Sequence, residues 1–348
     1  MHPEATRLYD VSLRLQREQG NCRGEAIALN NLAVSARDQG DHRTVEHYAR
    51  ESMTIAREIG DRNLEGLALM HLGTALRGQD QLSAAEETFV QSFGIFSKLG
   101  DERVVANLHN CLGELAQAKG DWAQARRSYE TALALNEELD DYWGLALSTC
   151  NLASLRYEQH DFAGALTRLM QSVGYFRRAG VKHGLAVCFE LLAKIAQQRG
   201  TYQRAAWCWG AAEQIEKGTG VFMNPTLQAQ RDEVQLQLAA MMPRQSFQDA
   251  KSEGKLESLE QAYSTVFSDS DLVPEPTKAN LIRPDTPAKT GSMAPRAVAP
   301  YAVAERVVVR SMVVSSQGAG SGFARSPGVG EAMGVMCAQM RRGVLKRC

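Results

Sequence analysis

The sequence predicts an all-α protein built as a solenoid of stacked helix pairs. The first observation is a period of 40 residues, because leucine recurs at this interval along most of the chain. Such a period is typical of proteins that stack one supersecondary unit many times. The second observation is that turn-forming residues interrupt each period twice, so that each unit holds two helices. The repeated leucines are Leu32, Leu72, Leu112, Leu152 and Leu192.

Small and large side chains at fixed distances from the leucine indicate how the two helices pack. A small residue follows each leucine directly, and a second helix carries a packing face at offsets of 13, 17 and 20 residues. These offsets lie on one side of a helix. Small side chains let two helix axes approach, and a large one fills the remaining hole. The central positions of this face are Ala49, Phe89, Tyr129, Leu169 and Trp209.

Glycine followed by a capping residue separates the predicted helices. Glycine ends a helix readily, and Asp or Thr caps the next one. We therefore place the first helix A at about Glu25 to Gln39 and its helix B at about His42 to Ile59. The turns are Gly40-Asp41, Asp80-Gln81, Gly120-Asp121, His160-Asp161 and Gly200-Thr201, with a second set at Gly60-Asp61, Gly100-Asp101, Asp140-Asp141 and Gly180.

This pattern resembles the tetratricopeptide repeat (TPR) in a 40-residue variety. The resemblance covers residues 1–220 and departs in one respect, since Gly-Asp turns replace the proline that often ends helix B. It implies a right-handed α-solenoid whose concave groove takes peptides or partner helices. The protein is therefore expected to be a non-catalytic interaction module that binds a protein or peptide partner.

The predicted solenoid begins with half a unit. Ala5, Tyr9 and Ser12 stand one period before the packing face of the first complete helix B, whereas the helix A of that unit is absent. A solenoid end without its partner helix exposes an apolar stripe. We expect either upstream sequence or a docked partner to cover it, and favour upstream sequence. Residues 1–220 are thus predicted to hold a half repeat and five repeats.

Three positions on each helix A are predicted to face the groove. They stand two residues before, two after and five after the repeat leucine, about 140 to 200 degrees from it on a helical wheel. The candidate partner-binding residues among them are Asn30, Arg37, Met70, Arg77, Asn110, Glu114, Tyr157, Glu190 and Lys194.

The charges at these positions suggest what the groove binds. Arg37 and Arg77 can pair with carboxylates at the N-terminal end of the groove, while Glu114 and Glu190 make the other end of the groove more negative. Our hypothesis is a segment carrying acidic groups near the two arginines. The alternative is that these are ordinary solvated side chains, since surface charges usually are.

The segment after the fifth repeat carries a second resemblance. Residues 221–269 read as a closing helical segment, and Trp209, Gly210, Phe247 and Gly254 make this part of the chain similar to LuxR-type regulators and related signalling ATPases. In those proteins an NTPase module precedes the repeats. The alternative function is therefore the sensory portion of an ATP-dependent transcriptional regulator. The chain has no phosphate-binding loop, however, and no DNA-binding helix-turn-helix is recognisable.

Composition excludes several other classes of protein. The net charge of -1 favours neither nucleic acid nor membrane binding, and no run is apolar and long enough to span a bilayer. The seven cysteines are dispersed, which suits a reducing cytoplasm. The histidines are spread over different units, so no metal, cofactor or catalytic residue is predicted.

The last part of the chain differs in character. Residues 271–348 hold seven of the ten prolines and carry eleven Lys or Arg against five Asp or Glu. Such a segment buries too little apolar surface to offset the entropy of ordering. Residues 270–348 are therefore predicted to be a low-complexity, disordered tail.

Overall fold

The computed structural model describes residues 3–219, 225–256, 261–262 and 265, and these residues form thirteen helices and no strand. This confirms the predicted all-α solenoid. The predicted disordered tail lies outside the described residues. The A helices are α2 (Cys22–Asp38), α4 (Arg62–Gly78), α6 (Glu102–Ala118), α8 (Tyr142–Glu158) and α10 (Lys182–Gln198). The B helices are α1 (Pro3–Glu18), α3 (His42–Glu58), α5 (Leu82–Leu99), α7 (Trp122–Glu138), α9 (Phe162–Ala179) and α11 (Tyr202–Thr219).

The turns form as the Gly-Asp pattern predicts. Most of them place a glycine in the left-handed region, such as Gly40 at φ 74°. Asp80, Asp140 and His160 adopt the same conformation where glycine is absent. The following Asp then accepts a hydrogen bond from a first-turn backbone amide, as Asp41 does from Thr44 N at 3.1 Å. These caps satisfy helix N-termini that would otherwise lack partners.

The bounds of the first helix A differ from the prediction. Helix α2 begins at Cys22, three residues before the predicted Glu25. The cause is Asn21, whose side chain accepts a hydrogen bond from Gly24 N and so caps the helix earlier. Helices α2 and α3 each end one residue before the predicted Gln39 and Ile59.

Within a repeat, helices A and B pack through the small and large positions. A Cβ atom on Gly73 would lie 2.6 Å from the Phe89 ring, and one on Gly113 would lie 2.4 Å from the Tyr129 ring. Only glycine permits such close approach of a ring to a helix backbone. Three serine hydroxyls of B helices also donate to carbonyls of their own helix A: Ser52 to Ala26 at 3.0 Å, Ser92 to Gly66 at 2.7 Å and Ser172 to Ala146 at 2.7 Å.

Two further helices close the C-terminal end, α12 (Pro225–Ala240) and α13 (Arg244–Leu256). Helix α13 packs extensively on α11, much as an A helix would. Glycines make this contact close, since a Cβ atom on Gly210 would lie 2.0 Å from the Lys251 carbonyl oxygen. Phe247 of α13 and Leu238 of α12 are buried in the same core as repeats four and five. The closing helices therefore share a core with the last repeats.

Candidate functional site

Successive A helices lie against one another, as α2 does with α4 and α4 with α6. Among the described helices, neighbouring A helices contact each other more extensively than neighbouring B helices do. The A helices therefore line the shorter, inner side of the stack. We call the surface formed by their exposed and half-buried side chains the inner face.

A constant register joins neighbouring A helices, since residues 37 or 38 apart meet. Asn110 Nδ2 donates to Ser148 Oγ at 3.1 Å. Arg77 Nη2 donates to Glu114 Oε2 at 2.7 Å. This register decides which of the predicted groove residues stay available to a ligand.

The positions two before the leucine are largely buried against the next repeat. Asn30, Met70 and Asn110 are 6%, 4% and 1% exposed. A helical wheel of one helix A places these residues on the side turned away from helix B. In the folded chain, the adjoining helix A covers that side. Asn30, Met70 and Asn110 therefore contribute mainly to the interface between neighbouring repeats. In the register of Asn110 with Ser148, Asn30 faces position 68, where Ala68 offers no acceptor.

The charged groove positions are half-buried and lie closer together than predicted. Arg37 pairs with the neighbouring Asp38 at 3.0 Å, and its side chain is 30% exposed. Arg77 and Glu114, predicted at opposite ends of the groove, form an ion pair with side chains 26% and 31% exposed. They meet because position +5 of one helix A and position +2 of the next are 37 residues apart.

Toward the C-terminal end, the remaining predicted residues have other partners. Tyr157 is half-buried with its ring 5.7 Å from that of Phe162, and burial raises the pKa of its hydroxyl. Burial lowers the pKa of the half-buried Lys194. Glu190 forms an ion pair with Arg231 of α12.

Polar atoms without partners gather on the A helices of repeats one to three. The amide oxygen and nitrogen of Asn30, Nδ1 of His71, Nε of Arg77 and Oδ1 of Asn110 are buried and make no hydrogen bond within the described part of the chain. A buried polar group without a partner costs about 1–3 kcal/mol. Each such atom therefore marks a place that needs an explanation.

Buried groups beside the two arginines are held neutral. Burial, helped by Arg37, lowers the pKa of His71 to about 3. Burial, followed by the charge of Glu114, raises the pKa of the Cys111 thiol to about 12. The charge of this region therefore resides on Arg37, Arg77, Glu114 and Asp38.

One inner-face row was missed by the sequence reasoning. It stands five residues before each leucine, on the helical face that also holds positions -2 and +2. Apart from Asn107, which donates to Met70 Sδ at 3.6 Å, the row is apolar and half-buried to exposed, reaching 46% exposure at Val187. This row recurs every 40 residues, so it could have been found from the sequence. The row consists of Ile27, Leu67, Asn107, Leu147 and Val187.

The arrangement offers a binding surface. Among the described residues, no group of three or more His, Cys, Asp or Glu is placed to hold a metal ion. In the same part of the chain, no helix combines the length and apolarity needed to cross a bilayer. The chemistry that the inner face can provide is apolar contact, ion pairing and hydrogen bonding.

Comparison with known proteins agrees with the repeat geometry. The tetratricopeptide repeat family model matches residues 24–98 and 104–178. No curated protein is similar in sequence.

Three solved structures are among those to which the chain is similar. BtubC (BKLC) from P. vanneervenii is 22% identical, with 64% of this chain and 92% of that chain covered and a TM-score of 0.46. RapI in its apo form is 13% identical, with 76% and 99% covered and a TM-score of 0.47. A STAND signal transduction ATPase with a tetratricopeptide repeat sensor, from Pyrococcus horikoshii, is 14% identical, with 66% and 38% covered and a TM-score of 0.40.

These likenesses are too distant to bear on partner or activity. The family model, the 40-residue register and the paired helices agree on the repeat type. Residues 24–98 and 104–178 therefore carry tetratricopeptide repeats.

Proposed function

We propose that the inner face of repeats one to three binds an extended or helical segment of a protein partner. Tetratricopeptide repeats are a scaffold for protein–protein interaction, and the proposal concerns where and what this one binds. The observation that carries it is the group of buried polar atoms without partners on α2, α4 and α6. Because the adjoining helix A covers these atoms, a ligand backbone can supply the missing partners only when that helix moves.

The ligand is proposed to be amphipathic, with apolar residues against the inner face and acidic groups near its edge. Ile27 and Leu67 give an apolar strip on the same two helices as Arg37 and Arg77, ten residues or about 15 Å before each arginine. Each arginine already has one carboxylate partner, Asp38 and Glu114 respectively. An acidic ligand therefore binds by sharing or exchanging these partners, which favours a bidentate carboxylate.

Affinity capture with paired variants tests this proposal. The variant Arg37→Glu with Arg77→Glu reverses the inner-face charge, and Arg43→Glu with Arg126→Glu makes the same change at exposed positions of B helices. Captured proteins are then tiled as synthetic peptides and titrated against each variant. We expect at least a tenfold loss of affinity for the inner-face variant alone. Equal binding by both variants contradicts the proposal.

We place this activity in bacterial signalling or transcriptional regulation in the cytoplasm, on the resemblance of the repeats and the closing segment to regulators of that type. The alternative is the sensory portion of an ATP-dependent regulator, with an NTPase domain as partner. Sequencing the DNA upstream of the gene's coding region separates them. An encoded Gly-x-x-x-x-Gly-Lys-Ser/Thr loop in the same reading frame favours the alternative.

A further inference from the structure

Helix α12 is attached to the end of the array by polar side chains and by a few apolar ones. It packs against α11 and α13 far less extensively than those two helices pack against each other. Arg231, near its middle, reaches Glu190 on α10 and Glu216 on α11. One turn later, Gln235 donates to Glu213 Oε1 at 3.2 Å and accepts from Lys251 Nζ at 2.5 Å. Through Arg231, helix α12 therefore reaches the C-terminal end of the inner face at Glu190.

The guanidinium of Arg231 is enclosed by complementary groups. It donates to both oxygens of Glu216 at 2.5 and 2.6 Å, and it also contacts Glu190. Its Cζ atom lies 5.8 Å from the centre of the Trp209 ring. Only 5% of the Arg231 side chain is exposed. Two carboxylates and an aromatic face are the groups that recognise an arginine side chain. We call Glu190, Glu216 and Trp209 the arginine pocket.

The carboxylates near Arg231 have different partners. The nearby Glu213 is already paired with Lys251 at 2.6 Å and Lys255 at 2.8 Å. Glu190 and Glu216 are directed at Arg231 instead. Burial, followed by the charge of Glu213, raises the pKa of Glu216 to about 7, and a guanidinium beside this carboxyl favours its ionised form.

The fit of Arg231 in the pocket is incomplete. Its Nε atom and Nε1 of Trp209 are buried and make no hydrogen bond to any described residue. Trp209 itself is 1% exposed. Leaving two buried donors unpaired weakens this contact relative to a ligand that satisfies them.

We propose that the arginine pocket is a binding site for an arginine-bearing helix of a partner protein, and that α12 occupies it in cis until the partner displaces it. This goes beyond the binding proposed for repeats one to three, because it concerns the opposite end of the inner face. The chemistry that identifies the partner helix is that of α12: an arginine, a glutamine one turn later and an apolar residue to replace Leu238.

The remaining attachments of α12 permit displacement. Leu238 is fully buried and Val234 and Ala239 are partly buried against the core, whereas Leu236 is 71% exposed. The helix follows closely on α11 in sequence, so that its effective concentration at the pocket is on the order of millimolar. A competing helix of similar chemistry must reach that concentration, or fit better, to replace it.

A peptide copy of α12 tests the proposal with the full chain. The probe is a fluorescein-labelled peptide of residues 225–240, beside the same peptide carrying Arg231→Ala. We expect the chain with Arg231→Ala to bind the arginine peptide at least tenfold more tightly than the wild type. Adding Glu190→Gln to that chain, or removing arginine from the peptide, abolishes this gain. Equal affinities for wild type and variant overturn the proposal.

Hydrogen exchange of the wild-type chain provides a second test, which does not require the Arg231→Ala variant to fold. Amides of α12 in the wild-type chain are followed with and without 1 mM unlabelled peptide. We expect at least a threefold increase in their exchange rate with the arginine peptide and none with the Arg231→Ala peptide. Unchanged exchange at this concentration overturns the proposal, and circular dichroism establishes whether the Arg231→Ala chain is folded for the first test.

Discussion

The two ends of the inner face solve the same problem differently. At the N-terminal end, Asn30, His71 and Arg77 keep buried polar atoms without partners. At the C-terminal end, Glu190 and Glu213 are paired with residues of α12 and α13. An array that repeats one structural unit therefore does not repeat its surface. Closing helices supply charged partners at one end, where Nε of Arg231 and Nε1 of Trp209 still make no hydrogen bond, whereas the polar atoms of the other end have no such closing helix among the described residues.

The largest expected effect concerns the closing helices. Gly210→Ala places a Cβ atom 2.0 Å from the Lys251 carbonyl, so α11 and α13 must separate. We expect a loss of about 2–3 kcal/mol in the free energy of unfolding. Gly94→Ala is the matched control, because a Cβ atom there meets nothing within 4 Å in helix α5. It should gain up to about 1 kcal/mol. Urea unfolding followed by circular dichroism measures both, and equal effects contradict a close α11–α13 contact.

The second effect is a dependence of the free energy of unfolding on pH, which arises from His71 at the N-terminal end. The folded state holds the pKa of His71 at about 3, below its ordinary value of 6.5. The unfolded state therefore binds a proton that the folded state does not, and stability falls as pH falls from about 6.5 towards 3. His71→Leu should remove up to about 1.4 kcal/mol per pH unit from this dependence.

Unfolding midpoints at pH 7, 6 and 5 measure the contribution of His71. The control is His47→Leu, since the His47 side chain is 71% exposed. An identical pH slope in wild type and His71→Leu would show that this histidine is not buried in its neutral form.

The third effect separates two asparagines at equivalent positions. Asn110 donates to Ser148, whereas Asn30 has no partner in the described structure. We expect Asn110→Leu to lower stability by about 1 kcal/mol and Asn30→Leu to raise it by a similar amount. If Asn30 serves the ligand, the same Asn30→Leu variant binds the partner less tightly. Thermal unfolding and peptide titration measure the two properties, and destabilisation by both changes contradicts this account.

The smallest effect on the free energy of unfolding is expected to be the same toward the two ends of the array. Asp80 lies in a turn of the second repeat and His160 in a turn of the fourth, and both residues have φ near 60°. The two changes are Asp80→Gly and His160→Gly. Glycine adopts this conformation without the steric cost of a Cβ atom. Each change should gain up to about 1 kcal/mol. Gains that differ between the two turns, measured by urea unfolding, would indicate that neighbouring side chains and not the backbone set the effect.

The sequence predicts repeated structure better than it predicts contacts between repeats. The helix pairs, the turns and the packing of Gly73 with Phe89 follow from side chains within one unit. The burial of Asn110 does not, because it depends on a residue 38 positions later in the next unit. Comparing residues at that spacing, as well as at 40, would have revealed this pair.

The role of α12 could not be predicted from the repeats. Glu190 occupies a regular groove position, and only the folded chain shows that Arg231 reaches it across α11. No fixed spacing connects a repeat to a segment that follows the array. The arginine pocket therefore needed the structure, whereas its component Trp209 was already predicted as a core residue.

The serine hydroxyls of α3, α5 and α9 tie each of these helices to the helix A of its own repeat, with bonds buried in the interior. Ties between repeats include ion pairs nearer to water, such as Arg103 with Asp141 at 3.0 Å. Salt weakens the second kind more than the first. Raising the ionic strength should therefore loosen the ion pairs between repeats, while the buried serine bonds and the apolar packing that crosses from one repeat to the next stay in place.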